Sequence, residues 1–534
     1  MKFLRNAVTV GGFTALSRIL GLVREILMAT FFGTTLVKSA FDLAFRIPNL
    51  FRAIFGEGAL SQAFIPIYTQ TRTREGNASA NAFAGKVLTL LAAILCTITA
   101  ITLLAIQLAR PWMTYGSRPE TVLRLLAILF PYLIFLCLAA ACMGILNSIG
   151  KFALPAATPM LMNLVWIATL VFIIPRMPES PDRRIAALAW AVVFSGLLQL
   201  ICQAAPLTRR AIRPILSTQW KDPQLKHMFN IFLPAALAMG IRDINTLVDG
   251  MLALWIGTWA PAALVFAERL AYLPLGLFAT ALGTVLLPEL SRLAVADPET
   301  MHKTLRQAIT AILVIMLPAA AALAYLATPI IQLIYEQGAF DANSTRLTSR
   351  ALMAYAPGLV VFAIYKMLLP AFYARRDSRT PMLCGAAAVA LNLCLNIIFI
   401  VILPREWRHA GLAAATVLTS TGNTSVLAII LYRQGGLPNV KDLGRTALRI
   451  TCCTLIMLAA LALARPYLSD AALINMTTKG GQITHMAILI TIGIATYLLA
   501  LLLIARNEIR ALLAKTTAPA SPPPPLPAHR DPES

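Results

Sequence analysis

Charge is what this chain has least of. Of its 534 residues only 13% are Asp, Glu, Lys or Arg, against about 25% in a soluble globular domain. Histidine occurs five times, at His227, His302, His409, His485 and His529, and the spacing repeats no zinc-ligand pattern. The eight cysteines lie inside apolar runs with no C-x-x-C pair, which argues against a disulfide framework and a thiolate metal site. Neither a Walker A sequence nor H-E-x-x-H occurs, so ATP hydrolysis and zinc hydrolysis are not expected, and no resident cofactor is. The first apolar stretch is broken by Arg18 and Arg24 and is followed by no small-residue cleavage pattern, so a removable signal peptide is not expected either.

What fills the chain is hydrophobicity: 58% of residues are apolar and the mean hydropathy is +0.75. Windows of about 20 residues, the length that crosses a bilayer, place spans near 8–32, 39–68, 83–109, 121–147, 154–174, 185–205, 229–257, 262–290, 305–328, 347–372, 380–403, 410–432, 446–464 and 483–505. The fold class is therefore an all-α integral membrane protein with about fourteen transmembrane helices. The net charge of +22 comes from Lys and Arg in alternate connections, among them Arg72 and Arg74, Arg209 to Lys226, Arg375 to Arg379 and Arg506 to Lys515. That asymmetry puts both termini in the cytoplasm and accounts for the charge without nucleic acid. The longest basic connection, 208–228, separates a group of six spans at 1–207 from a second at 229–433. Two further spans occupy 434–510. The proline-rich tail 511–534 has too little apolar surface to order itself and is expected to be a disordered cytoplasmic extension.

The scarce charges are concentrated where they cost most. Arg18, Arg24 and Glu25 interrupt the first span, Asp42, Arg46, Arg52 and Glu57 the second, Glu268 and Arg269 the eighth. Each such residue costs about 2.5–3.5 kcal/mol at the centre of a membrane helix, so the helices must face a polar interior. On a helix Arg18 and Glu25 stand about 20° apart, while Asp42, Arg46 and Asn49 form an i, i+4, i+7 stripe. Glu25, Asp42, Arg46, Glu57 and Glu268 suit ion pairing or gating. Arg18, Arg24, Arg52 and Arg269 suit an anion, because the guanidinium fork keeps its charge and binds phosphate oxygens bidentately. A second cluster lies around Asp243, Asn245 and Asp249 in the seventh span. Asp249 with Asn392 and Asn396 offers the oxygens a hard monovalent cation such as sodium accepts, or amides that hydrogen-bond neighbouring helices.

Three sets of segments carry a specific resemblance: Ser17-Arg18-Ile19-Leu20-Gly21-Leu22-Val23-Arg24-Glu25; Phe45 to Arg52 running into Glu57-Gly58-Ala59-Leu60-Ser61-Gln62-Ala63-Phe64-Ile65-Pro66; and Ala267-Glu268-Arg269-Leu270 with Ala281 to Pro288 and Pro370 to Asp377. At these residues the chain resembles the MurJ (MviN) lipid II flippases of the multidrug/oligosaccharidyl-lipid/polysaccharide exporter superfamily, over roughly residues 1 to 510. The resemblance implies two pseudo-symmetric six-helix lobes around a cationic central cavity and two C-terminal helices forming a lipid groove. It implies lipid II as substrate in a bacterial inner membrane, carried by alternating access, with Arg18, Arg24, Arg52 and Arg269 on the diphosphate and headgroup. Membrane lipids and a monomeric state are expected besides, with cell-wall synthesis proteins as partners where the tail recruits one. The negative cytoplasmic side and the Asp249 cluster leave sodium, protons or the membrane potential alone open as the driving force. The chain departs from the family at Ser39, where an acid is expected and Asp42 follows one turn later, and at Tyr272. The alternatives are a cation-coupled drug exporter or another polyprenyl-linked saccharide flippase of the superfamily, and, more distantly, a membrane enzyme acting on lipid-linked sugars.

Overall fold

Backbone in hydrocarbon has no water to bond, and a helix is the element that closes its hydrogen bonds within one segment. The computed structural model is accordingly helical, with no strand among the residues it describes: 2–52, 54, 59–151, 153–209, 217, 219, 222–437, 440–470, 478–506 and 508. Glu57 and the tail 511–534 lie outside them. In chain order the helices are α1 (Lys2–Phe32), α2 (Leu36–Arg52), α3 (Ala59–Glu75), α4 (Asn77–Ala109), α5 (Arg118–Leu129), α6 (Tyr132–Ser148) and α7 (Ala153–Ala168). Then follow α8 (Pro181–Arg209), α9 (Pro223–Ile256), α10 (Ala260–Pro274), α11 (Thr280–Ala296), α12 (Pro298–Tyr325) and α13 (Ala327–Tyr335). The chain closes with α14 (Ala342–Tyr355), α15 (Gly358–Ala374), α16 (Arg379–Ile402), α17 (Arg408–Arg433), α18 (Val440–Asp470) and α19 (Lys479–Ile504).

Nine helical runs among the described residues are long and apolar enough to cross a membrane, and two bent pairs raise the number to 11. The pairs are α5 with α6 and α14 with α15, each bent by 41°. Pro131 and Pro357 sit at the two junctions, where a missing N–H and the ring's clash break the helix. Among the charge-bearing runs, α1, α2 with α3, α9 and α10 fall at the first, second, seventh and eighth expected spans. Two details differ from the sequence expectation. The span at 262–290 passes through a wider π turn at Leu275–Ala279, directly after Pro274, and the short helix α13 was not anticipated.

The chain forms two compact units. One comprises Met1–Gly276, Ala322–Phe362 and Asp377–Leu427. Its core carries an aromatic cluster in which Trp166 meets Phe41 and Phe45 edge-on, at centroid distances of 5.4 and 5.7 Å. At one end of this unit the turn between α1 and α2 interlocks with the turn between α13 and α14. The Ala339 amide donates to the Thr30 carbonyl at 2.8 Å, and the Thr34 and Ser344 hydroxyls lie 2.7 Å apart. Gly33 (φ 52°) and Gly338 (φ 59°) make this approach feasible: both are left-handed, and a Cβ on either would collide with the carbonyl of the opposite turn. Asp341 caps α14, and the bond from the Ser344 amide holds its carboxyl below the usual range. Elsewhere in this unit, Arg118 donates to the carbonyls of Leu254 and Trp255 at 2.9 and 3.1 Å, placing a cation on the C-terminus of α9.

The other unit comprises Leu277–Ala321, Ala363–Arg376 and Ala428–Ser534. Lys366 donates to Thr280 at 2.8 Å, Tyr497 on α19 donates to the Val314 carbonyl at 2.7 Å, and Arg449 pairs with Glu508 at 2.7 Å. The Tyr497 bond docks α19 on α12, and the Arg449–Glu508 pair ties α18 to the segment that follows α19.

Candidate functional site

The intramembrane charges assemble in the first unit on α1, α2, α9 and α10. Arg24 donates from Nη2 to Glu25 Oε1 at 2.6 Å and from Nη1 to Asn163 Oδ1 at 2.9 Å, and its guanidinium stacks 4.4 Å over the Trp166 ring. Only 7% of Arg24 is exposed. Glu25, also buried, lies 3.7 Å from Arg269 Nε. Arg269 differs from Arg24 in its access: 57% of its side chain is exposed. Arg18 is exposed as well, its guanidinium lying over Gly276, where a Cβ would meet it.

On α2 the expected stripe resolves into separate partnerships. Asp42 accepts from Lys38 Nζ at 2.6 Å through each of its oxygens. Arg46 donates to the Thr246 carbonyl at 2.7 Å and pairs with Glu268 at 3.6 Å. Arg52 donates to Asn49 Oδ1 at 2.7 Å. Ser39 accepts from the Ala262 amide at 3.2 Å, so at this position α2 contributes a neutral tie to the start of α10. Tyr272 packs edge-on against Phe362, with centroids 5.5 Å apart.

Two participants were missed in the sequence. Lys38 is 1% exposed, bound to Asp42 and 4.7 Å over the Phe266 ring. Its signal was legible, since a Lys four residues before an Asp makes an i, i+4 pair. Asn163 was a lone amide in an apolar run, and nothing in the sequence alone indicated which helix it would serve.

The second cluster does come together. Asn396 Nδ2 donates to Asp249 Oδ1 at 2.6 Å and to Asn392 Oδ1 at 3.0 Å, and Asn245 Nδ2 lies 3.5 Å from Asp249 Oδ2. With the Asn392 amide turned, its nitrogen instead faces Asn396 and donates to Asp249 Oδ1 at 3.1 Å, in place of the bond that Asn392 accepts from Asn396. Asn396 Oδ1 is buried with no hydrogen-bond partner in the structure. A buried acceptor beside a carboxylate is the donor chemistry a monovalent cation takes, so the residues fit one. Among the described residues no group of three His, Cys, Asp or Glu side chains is placed to hold a metal.

Comparison with known proteins bears on this arrangement. Residues 28–505 match the sequence model of the family described as "Lipid II flippase MurJ". A chain from Rhizobium tropici described as "Probable lipid II flippase MurJ" is 34% identical over 98% of both chains. One from Burkholderia cenocepacia described as "Lipid II flippase MurJ" is 32% identical over 82% of this chain and 85% of its own. Among solved structures, one of "Lipid II flippase MurJ, inward closed conformation" superposes with a TM-score of 0.77 at 27% identity, covering 94% of this chain and all of that one. An inward-facing multidrug resistance transporter of the MATE family superposes with a TM-score of 0.66 over 80% of this chain, at 16% identity, a likeness of fold.

Proposed function

The chain belongs to the lipid II flippase MurJ family, and from that membership we propose how its residues serve the transport of lipid II. It is a multi-pass membrane transporter rather than an enzyme: lipid II changes leaflet and no covalent bond changes. The observation that carries the site assignment is the contrast at Glu25, whose buried carboxylate lies between clamped Arg24 and accessible Arg269. Arg18, Arg52 and Arg269 offer guanidinium groups to the diphosphate, and Arg24 joins them by exchanging its bond to Glu25. Paired Lys38–Asp42 and Arg46–Glu268 offset one another and leave the remaining arginines as net positive charge. Glu57 keeps its assignment to gating.

Two six-helix lobes, 1–207 and 229–433, rock about this site, with both termini in the cytoplasm of an inner-membrane monomer. The undecaprenyl chain stays in lipid beside the two C-terminal helices while the diphosphate and sugars cross, which spares the charged head a passage through hydrocarbon. The intact gene should restore growth to a flippase-depleted strain, and the purified protein in nanodiscs should bind undecaprenyl diphosphate. Failure of both would overturn the assignment.

Asp249, Asn392 and Asn396 hold the coupling cation in this reading, and a bound cation supplies charge that moves with the membrane potential at about 2.3 kcal/mol per charge per 100 mV. Asp249→Ala should then reduce transport most at low sodium. It should also remove the sodium-dependent gain in melting temperature that a ligand confers on the state it binds. An equal loss at every sodium concentration would assign the cluster to helix packing instead.

A further inference from the structure

Arg24 is held from outside the charged helices. Its Nη1 bond goes to Asn163 on α7, and the Asn163 amide is itself oriented, because Nδ2 donates to the Ser17 carbonyl at 3.0 Å and so turns Oδ1 toward Arg24. One turn on, Trp166 lies beneath the same guanidinium. Asn163 and Trp166 are 5% and 4% exposed, out of reach of a headgroup that Arg18 or Arg269 could meet. Asn163 thus joins both ends of the segment Ser17–Arg24 to one point on α7.

We infer that Asn163 is a positioning residue for the anion site, acting through Arg24 and Glu25 on Arg269. The inference rests on the cationic-site reading above. Arg24 has two acceptors in reach of its terminal nitrogens, Asn163 Oδ1 and Glu25 Oε1, and the first limits how fully it can engage the second. Glu25 Oε2 is buried without a hydrogen-bond partner, so the carboxylate keeps unspent acceptor capacity, and its other oxygen lies 3.7 Å from Arg269 Nε. With the Asn163 acceptor gone, both Arg24 nitrogens turn to Glu25, a fork-to-fork geometry that guanidinium and carboxylate favour. Glu25 then holds Arg269 less, and Arg269 is more available to a diphosphate. Asn163 therefore sets the site weak enough to release its cargo.

The test is equilibrium binding of undecaprenyl diphosphate to the full-length protein in nanodiscs, with and without the relay. Asn163→Leu should tighten binding about three- to ten-fold, in the lower part of the range for coupled neighbours, and should slow complementation-linked growth because release is slower. In a Glu25→Gln background the same substitution should leave affinity unchanged. Asn163→Ser, too short to reach Arg24 and easier to accommodate, should act in the same direction with a smaller effect. A residue that only supports packing would weaken binding and lower the melting temperature together. Unchanged or weaker binding in Asn163→Leu and Asn163→Ser would overturn the inference, as would an equal gain in the Glu25→Gln background, which would show that the effect does not pass through Glu25. If the parent protein does not bind the probe, the cationic-site reading fails first, and that result is separate from any effect at Asn163.

Discussion

Arg269→Ala should abolish complementation of a flippase-depleted strain while the amount of protein in the membrane stays at the parental level. The guanidinium is the accessible end of the Arg24–Glu25–Arg269 series, so its loss falls on the substrate more than on the fold. A hydrogen bond to a charged group contributes about 1.5–3 kcal/mol, and losing two to a diphosphate lowers affinity by a factor of about 10² to 10⁴. Removing Arg269 also leaves Glu25 facing the anion with less neutralising charge. Arg269→Lys should recover part of the function, since the charge returns without the planar fork. The readouts are growth, an immunoblot of the membrane fraction, and undecaprenyl diphosphate binding. Parental growth from Arg269→Ala would remove Arg269 from the substrate site.

The chain's helical architecture was readable because hydrophobic length and loop charge are strong local signals, and the charges that break them are rare enough to stand out. Arg24, Glu25 and Arg269 are three such exceptions that meet in space. What stayed hidden was pairing across helices. The i, i+4, i+7 stripe of Asp42, Arg46 and Asn49 is real as a periodicity, yet Asp42 turns to Lys38, Arg46 to α9 and α10, and Asn49 to Arg52. Helical periodicity gives the face a residue occupies, while the partner depends on which other helix arrives there. Asn163 shows the same limit from the other side: a single amide in an apolar run signals a buried hydrogen bond without naming its acceptor. The glycine turns at 33 and 338 were equally opaque, because each needs its glycine for the sake of a backbone about 300 residues away.

Those turns give the second large effect. With Thr34→Cys and Ser344→Cys combined, oxidation should arrest lipid II transport and a reductant should restore it. The side-chain oxygens of these residues lie 2.7 Å apart, so paired sulfurs are within reach of a disulfide. In the alternating access proposed above, this end of the unit opens. The native clasp comprises the Ala339–Thr30 bond and the Thr34–Ser344 pair. At about 1 kcal/mol net for each hydrogen bond, the clasp is worth about 2 kcal/mol, a sizeable part of the roughly 5.5 kcal/mol that separates a 1:99 from a 99:1 population. A clasp of that strength biases the equilibrium and still lets the site open, whereas a covalent bond does not. Each single cysteine variant should transport normally under oxidant, which controls for the exposed native thiols such as Cys96, Cys394 and Cys452. Transport at the parental rate by fully crosslinked protein in vesicles would show that the two turns stay joined throughout the cycle, and the opening would then have to be sought at another pair of helices.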